Sequence, residues 1–133
     1  MPGVVVDTHV IVWYLSKDSR LSSAANDTLT AAINNGEMVY IPSICLVELT
    51  YLVEKGRLPA AARQRLIESL DDPARPCVLV PLDRLVAETL EFVQRTEVPD
   101  LPDRIVAATA LALQVPLISR DRKIRASQVQ TIW

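Results

Sequence analysis

The sequence predicts an α/β fold: a mostly parallel central sheet of four to five strands with helices on both faces. Three observations lead there. Short β-branched or apolar runs recur at 4–6, 38–41, 77–82 and 116–119 of the 133 residues. Helical stretches of ten residues or more separate them, and a connection that long permits parallel pairing through crossover helices. With 50% hydrophobic and 23% charged residues, the chain has the makings of one ordinary domain with its own core.

The elements follow in order. Val4-Val5-Val6 is a buried strand ending at Asp7, and 8–15 reads as the first helix. Leu21-Ser22-Ser23 opens a second helix over 24–33, which Asn34-Asn35-Gly36 closes. A strand over 38–41 stops at Pro42. Ser43 is expected to cap a helix running to Lys55, with Gly56 as the left-handed residue that ends it. Pro59 opens the next helix, to about Leu70. A third strand over 77–82 leads into a helix over 83–95 and a loop over 96–102 that holds two prolines. The helix over 103–113 is apolar nearly all round, and Ala107, Ala108, Ala110 and Ala112 are small enough to let it lie close to the sheet. Residues 116–119 form a fourth strand and 129–133 a fifth. No internal repeat, low-complexity tract or linker interrupts this order.

Composition excludes several functions. Fourteen Lys and Arg against sixteen Asp and Glu leave a formal charge of -2, so any contact with nucleic acid has to be local. The longest unbroken apolar run, 10–15, falls far short of the roughly 18 residues a membrane span needs. Met1-Pro2-Gly3-Val4 places no basic stretch ahead of an apolar run, which argues against a secretory leader and for a cytoplasmic protein. Cys45 and Cys77 have no CxxC spacing and read as buried thiols in a reducing compartment.

The acids carry more information. In an open parallel sheet ligands collect beyond the carboxyl ends of the strands. Asp7 closes the first strand and Asp121 lies just past the fourth, although a turn or cap role explains either alone. Glu48 has Ile44, Cys45, Tyr51 and Leu52 as its helix neighbours, so it points to a buried or cleft-facing side and needs an Arg, a metal or a raised pKa to be there. Asp103, after Pro102, suits a helix N-cap, and a helix N-terminus is also a positive end that can hold a carboxylate for a metal. Two like charges about 4 Å apart repel by roughly 4 kcal/mol at an effective dielectric of 20, so a convergent set stays ionised only around a cation. Mg2+ or Mn2+ suits four oxygen ligands, and phosphodiester hydrolysis is the chemistry that follows. Asp7 and Asp121 are therefore expected at one edge of the sheet, with carboxylates less than about 15 Å apart.

The pieces Val5-Val6-Asp7-Thr8-His9, Leu46-Val47-Glu48-Leu49 ahead of Glu54-Lys55-Gly56-Arg57-Leu58, Pro102-Asp103-Arg104-Ile105-Val106-Ala107-Ala108-Thr109-Ala110 and Leu117-Ile118-Ser119-Arg120-Asp121 span nearly the whole chain. In this order they resemble the PIN-domain ribonucleases, in particular the toxins of VapBC-type toxin–antitoxin modules. The resemblance implies one nuclease domain over 1–133 and a Mg2+- or Mn2+-dependent endoribonuclease. Asp7, Glu48, Asp103 and Asp121 would be its metal-binding acids, assisted by the Ser119 hydroxyl at a position where Thr is also common. It further implies an antitoxin partner and a homodimer. An antitoxin segment would cover the first helices and seat an Arg or Lys among the acids, whose oxygens a guanidinium matches two at a time.

Other residues are weighed beside that reading. His9, the only histidine, is a candidate RNA contact; no GxSxG elbow accompanies it, which excludes a serine hydrolase. Arg120, Arg122, Lys123 and Arg125 form either a solvated loop or a grip on RNA phosphates, with Arg120, Arg122 and Lys123 the preferred contacts. Trp13 and Tyr14 suit base stacking, core packing or a protein contact. A phosphorylated receiver domain lacks the neighbouring acids it needs after the first strand. The alternative that remains is a non-enzymatic α/β interaction module whose acids are only caps and salt bridges.

Overall fold

The computed structural model describes residues 3–133, so Met1 and Pro2, on which part of the leader reading rests, lie outside the described residues. Five strands, β1 (Gly3–Val6), β2 (Met38–Pro42), β3 (Cys77–Val80), β4 (Leu117–Ile118) and β5 (Thr131–Ile132), form one sheet in the order β3-β2-β1-β4-β5. Every pairing is parallel. The central strand β1 is buried along its whole length, which is why it reads as a continuous apolar run rather than an alternating one. At Gly3 a side chain would meet the Met38 carbonyl oxygen at 2.7 Å, so the close approach of β1 to β2 requires glycine there.

The helices are α1 (Thr8–Ser16) and α2 (Ser23–Asn34) between β1 and β2, then α3 (Ser43–Glu54) and α4 (Ala60–Asp71) between β2 and β3. Next come α5 (Arg84–Thr89), a 3-10 turn (Leu90–Phe92) and α6 (Leu101–Leu113), and α7 (Arg122–Arg125) follows β4. Right-handed crossovers stepping from β1 to β2 to β3 place the first four helices on one face, and the return from β3 to β4 places α5 and α6 on the other. Both α2 and α6 pack against β1 and β2. The core lies between these layers: Val5, Val6, Ile41, Leu117 and Ile118 of the sheet and Val106, Ala107, Ala108 and Ala110 of α6 are fully buried. The chain reverses its direction of winding between β1 and β4, and that switch point is where a doubly wound sheet opens a cleft.

Several elements depart from the sequence reading. Ser43 is the first residue of α3 rather than its cap; its Oγ accepts from the Leu82 amide at 3.2 Å, and the fixed backbone of Pro42 takes the cap position. Strand β3 stops at Val80, because Pro81 has no N–H to continue a ladder. The helix expected over 83–95 ends at Thr89 and tightens into the 3-10 turn. The Arg104 guanidinium takes the carbonyls of Leu90 and Val93 at 3.1 and 3.0 Å, partners that continued helix would otherwise have to supply. Helix α6 begins at Leu101, with Asp100 and not Asp103 as its N-cap. Proline is compatible with a first helical turn, so Pro102 is no barrier. The stretch after Asp121, for which a solvated loop is one of two readings, contains α7, and Cys77 is half-buried rather than buried. Gly56 has φ +72° and follows α3 as expected. Among the described residues no helix is long and apolar enough to cross a membrane.

Candidate active site

Register fixes the first two acids. Val6 of β1 pairs with Ile118 of β4, so the chain leaves both strands side by side, Asp7 after one and Ser119 to Asp121 after the other. Ser119 is fully buried, and its hydroxyl donates to Asp7 Oδ2 at 2.8 Å while accepting from the Asp121 amide at 3.1 Å. One serine therefore links two acids that are 114 positions apart in the chain. The other Asp7 oxygen accepts from the Thr8 amide at 2.8 Å, which caps α1. Asp121 Oδ1 accepts from the amides of Lys123 and Ile124 and caps α7. The cap role and the cleft position thus coexist in both residues.

Glu48 comes from the adjacent strand connection. It is half-buried on α3, and its Oε1 accepts from the hydroxyl of Thr8, itself 2% exposed, at 2.9 Å. The core salt bridge weighed for Glu48 is not there. The ion pairs among the described residues, Arg20–Asp18, Arg75–Asp72 and Arg84–Glu88, involve none of the four acids. Asp103, third residue of α6, receives no hydrogen bond on its carboxylate among the described residues, while its amide donates to the Asp100 side chain at 3.1 Å. Asp7, Glu48, Asp103 and Asp121 line one cavity of about 470 Å³ together with Thr8, His9, Val10, Trp13 and Arg120.

The electrostatics of this cavity follow from burial and crowding. Burial pushes Asp7 above the ordinary carboxylate range against the opposing Ser119 and Thr8 hydrogen bonds. Glu48 is raised by burial, with Asp7 and Asp100 adding to it and the Thr8 hydroxyl opposing. Asp103 is pushed up to about 7, by burial first and then by Asp7, Asp100, Asp121 and Glu48. Acids raised together, with no cation paired to them, form a site short of positive charge.

The donor set fits a hard divalent cation, since it offers only oxygen ligands and several negative charges. As placed, no three carboxylate, thiol or imidazole groups among the described residues are arranged to hold an ion by themselves. Asp7, Glu48, Asp103 and Asp121 are the residues that would hold such an ion, and water and substrate oxygens would have to supply further ligands, as is usual for Mg2+.

The remaining candidates separate. His9 is exposed and lines the cavity, as does Arg120, whose guanidinium carbon stands 5.6 Å from the Trp13 ring centre. Arg122 and Lys123 do not line it. Trp13 is buried, while Tyr14 is half-buried with its hydroxyl hydrogen-bonded to Thr30. Sequence reasoning missed Thr8 and Asp100. The signal for Asp100 was present, because Asp followed three residues later by an acid, with Pro between, marks a helix start. Nothing local distinguishes Thr8, whose partner lies 40 residues away.

The family model described as PIN domain matches residues 4–128. Among curated proteins, Ribonuclease VapC22 of Mycobacterium tuberculosis is 28% identical over 136 residues, with the whole of both chains covered. Among solved structures the fold matches that of VapBC2 from Rickettsia felis bound to a DNA fragment from its promoter, with TM-score 0.72 and 19% identity over 98% of this chain and 97% of the other. It also matches a toxin–antitoxin complex from Klebsiella pneumoniae, with TM-score 0.69 and 21% identity over 98% and 96% of the two chains.

Proposed function

We propose, from the premise that this chain belongs to the PIN-domain family, that it is a Mg2+- or Mn2+-dependent endoribonuclease and the toxin of a toxin–antitoxin module. The observation that carries the reading is the convergence of Asp7, Glu48, Asp103 and Asp121 from four separate elements into one cavity without a cation partner from the chain. Four caps and salt bridges, as an interaction module would have them, give no reason for that convergence. The ribonuclease named above, similar along its whole length, supports RNA as substrate.

Within that function each residue has a definable task. A divalent cation, when bound, activates water and offsets the charge that develops on the phosphate. Ser119 and Thr8 hold Asp7 and Glu48 at fixed positions through buried hydrogen bonds, so these carboxylates face the cavity with little freedom to turn away. Asp103, held on the rigid first turn of α6, closes the site from the opposite face of the sheet. Arg120 would take a phosphate oxygen and the exposed His9 would be a further RNA contact, a reading supported by their lining the same cavity. The test is cleavage of a labelled RNA by the purified protein with Mg2+, Mn2+ or EDTA. Asp7→Asn and Asp103→Asn are expected to lower the rate at least a hundredfold while remaining folded. Wild-type rates in either variant would make that acid structural.

The antitoxin belongs to the same proposal. A cavity of about 760 Å³ lies beside α1 and α2, where the half-buried Tyr14, Leu15, Leu21 and Ile33 offer a partner helix apolar contacts amid polar neighbours such as Asn26 and Asp27. The buried Trp13 borders both this cavity and the acidic one, so the two lie on neighbouring parts of the fold. A basic residue on the partner would find carboxylates that no cation of this chain occupies. Exposed Val47, Tyr51, Leu82, Leu85 and Leu101 on and beside α3, α5 and α6 support a homodimer through that side, which light scattering of the purified protein would measure.

A further inference from the structure

Beyond the acidic cavity lies a second groove, of about 580 Å³, bounded by Arg122, Arg125, Ala126, Thr131 and Trp133. Arg122 and Arg125 stand three residues apart on α7 and so present their guanidinia on one side. Neither pairs with a carboxylate among the described residues. The fully buried Ile124 anchors α7 to the core, and Asp121, an acid of the first cavity, caps it. The carboxylate that shapes the acidic site therefore also sets where α7, which carries these two arginines, begins. The two hollows are also neighbours through a pair of aromatic rings. The ring of Trp13, in the acidic cavity, lies 6.2 Å from that of Trp133, in the basic groove, and Arg120 stands over Trp13.

We propose that this groove is a second subsite for RNA, binding the backbone that extends from the scissile phosphate, with Arg122 and Arg125 on phosphate oxygens and the half-buried Trp133 as its floor. The inference rests on the ribonuclease reading and deepens it. A chain of net charge -2 whose cleft is itself acidic repels an RNA backbone except where cations gather, and Arg120, Arg122 and Arg125 gather along one path out of the cleft. Lys123, between them in sequence, lies off that path, so the groove uses Arg125 where sequence reasoning preferred Lys123.

The experiment measures binding and cleavage separately. A fluorescent RNA decamer is titrated against the protein in EDTA, which withholds the cation needed for cleavage, over a series of salt concentrations, and the same RNA is used for steady-state kinetics with Mn2+. The double variant Arg122→Gln/Arg125→Gln is expected to bind about tenfold more weakly, and its slope of log affinity against log salt should be shallower by about 1.4, the value for two single-strand phosphate contacts. KM should rise with kcat little changed. Arg57→Gln, an exposed arginine outside both hollows, serves as the control for charge alone and should match wild type. If the double variant binds and cleaves like wild type, the subsite is wrong while the ribonuclease reading stands. Should wild type bind through these arginines yet cut no RNA, the groove stands as a single-strand site and the ribonuclease reading fails. A wild-type protein that neither binds nor cuts RNA overturns both.

Discussion

Asp103 shows how one residue records the state of the whole site. Its carboxyl, ordinarily near 3.8, is pushed up to about 7 by burial and by four neighbouring acids. A group that holds its proton more tightly in the folded than in the unfolded protein stabilises the fold at low pH and loses that contribution as pH rises through the folded value. In ion-free protein the loss runs from about pH 4 to about pH 7. Asp103→Asn cannot ionise, so in EDTA it is expected to melt about 2–4 °C above wild type at pH 8 and level with it at pH 4, read by differential scanning fluorimetry. Saturating Mg2+ should narrow or reverse the difference by stabilising wild type alone. A variant that melts well below wild type at pH 8 in EDTA would mean that Asp103 has a stabilising cation partner within the protein.

At the scale of elements, the position of Asp103 depends on how α6 starts, and that start is built from two contacts. Asp100 caps the helix, and Arg104, one turn inside it, donates to the carbonyls of Leu90 and Val93 and so joins α6 to the end of the preceding 3-10 turn. A lysine has one ammonium on a flexible stem and cannot serve both carbonyls with fixed geometry. Arg104→Lys is therefore expected to cost about 1–2 kcal/mol in urea unfolding and to lower activity several-fold, because Asp103 loses its fixed seat. Unchanged stability and rate would show that α6 is positioned by its Ala-rich face alone.

For the whole molecule, the question is whether the larger cavity beside α1 and α2 and the acidic cavity serve separate purposes. Asn26 is exposed on α2 and lines only the first of them. Asn26→Arg places a long charged side chain where a partner helix would lie. The variant is expected to keep the wild-type cleavage rate and melting temperature within about 2 °C, a surface substitution being worth little. Its inhibition by the proposed antitoxin should weaken at least tenfold. Inhibition at wild-type strength would place the partner elsewhere, over the acidic cavity or at a dimer contact.

Much of this was legible in the sequence, and for a physical reason. Strand runs such as Val4-Val5-Val6 and Leu117-Ile118, separated by helix-length segments, force parallel pairing whatever the details, and an acid directly after a strand has to emerge at the sheet's carboxyl edge. Asp7, Asp121 and the apolar neighbours of Glu48 could be read in that way, and so could the small-residue face of α6. Boundaries set by distant partners could not. The end of α5 depends on a guanidinium arriving from α6, the buried Thr8 hydroxyl finds its acceptor 40 residues along the chain, and Ser43 serves the Leu82 amide instead of its own helix. Tertiary structure also decided that Ser119 would bridge Asp7 and the Asp121 amide, and that Arg120 would face one hollow while Arg122 and Arg125 face another. Periodicity and spacing act through the few residues nearest in sequence and therefore show in it. Hydrogen bonds across the chain depend on where packing delivers both partners, and only the folded molecule contains that information.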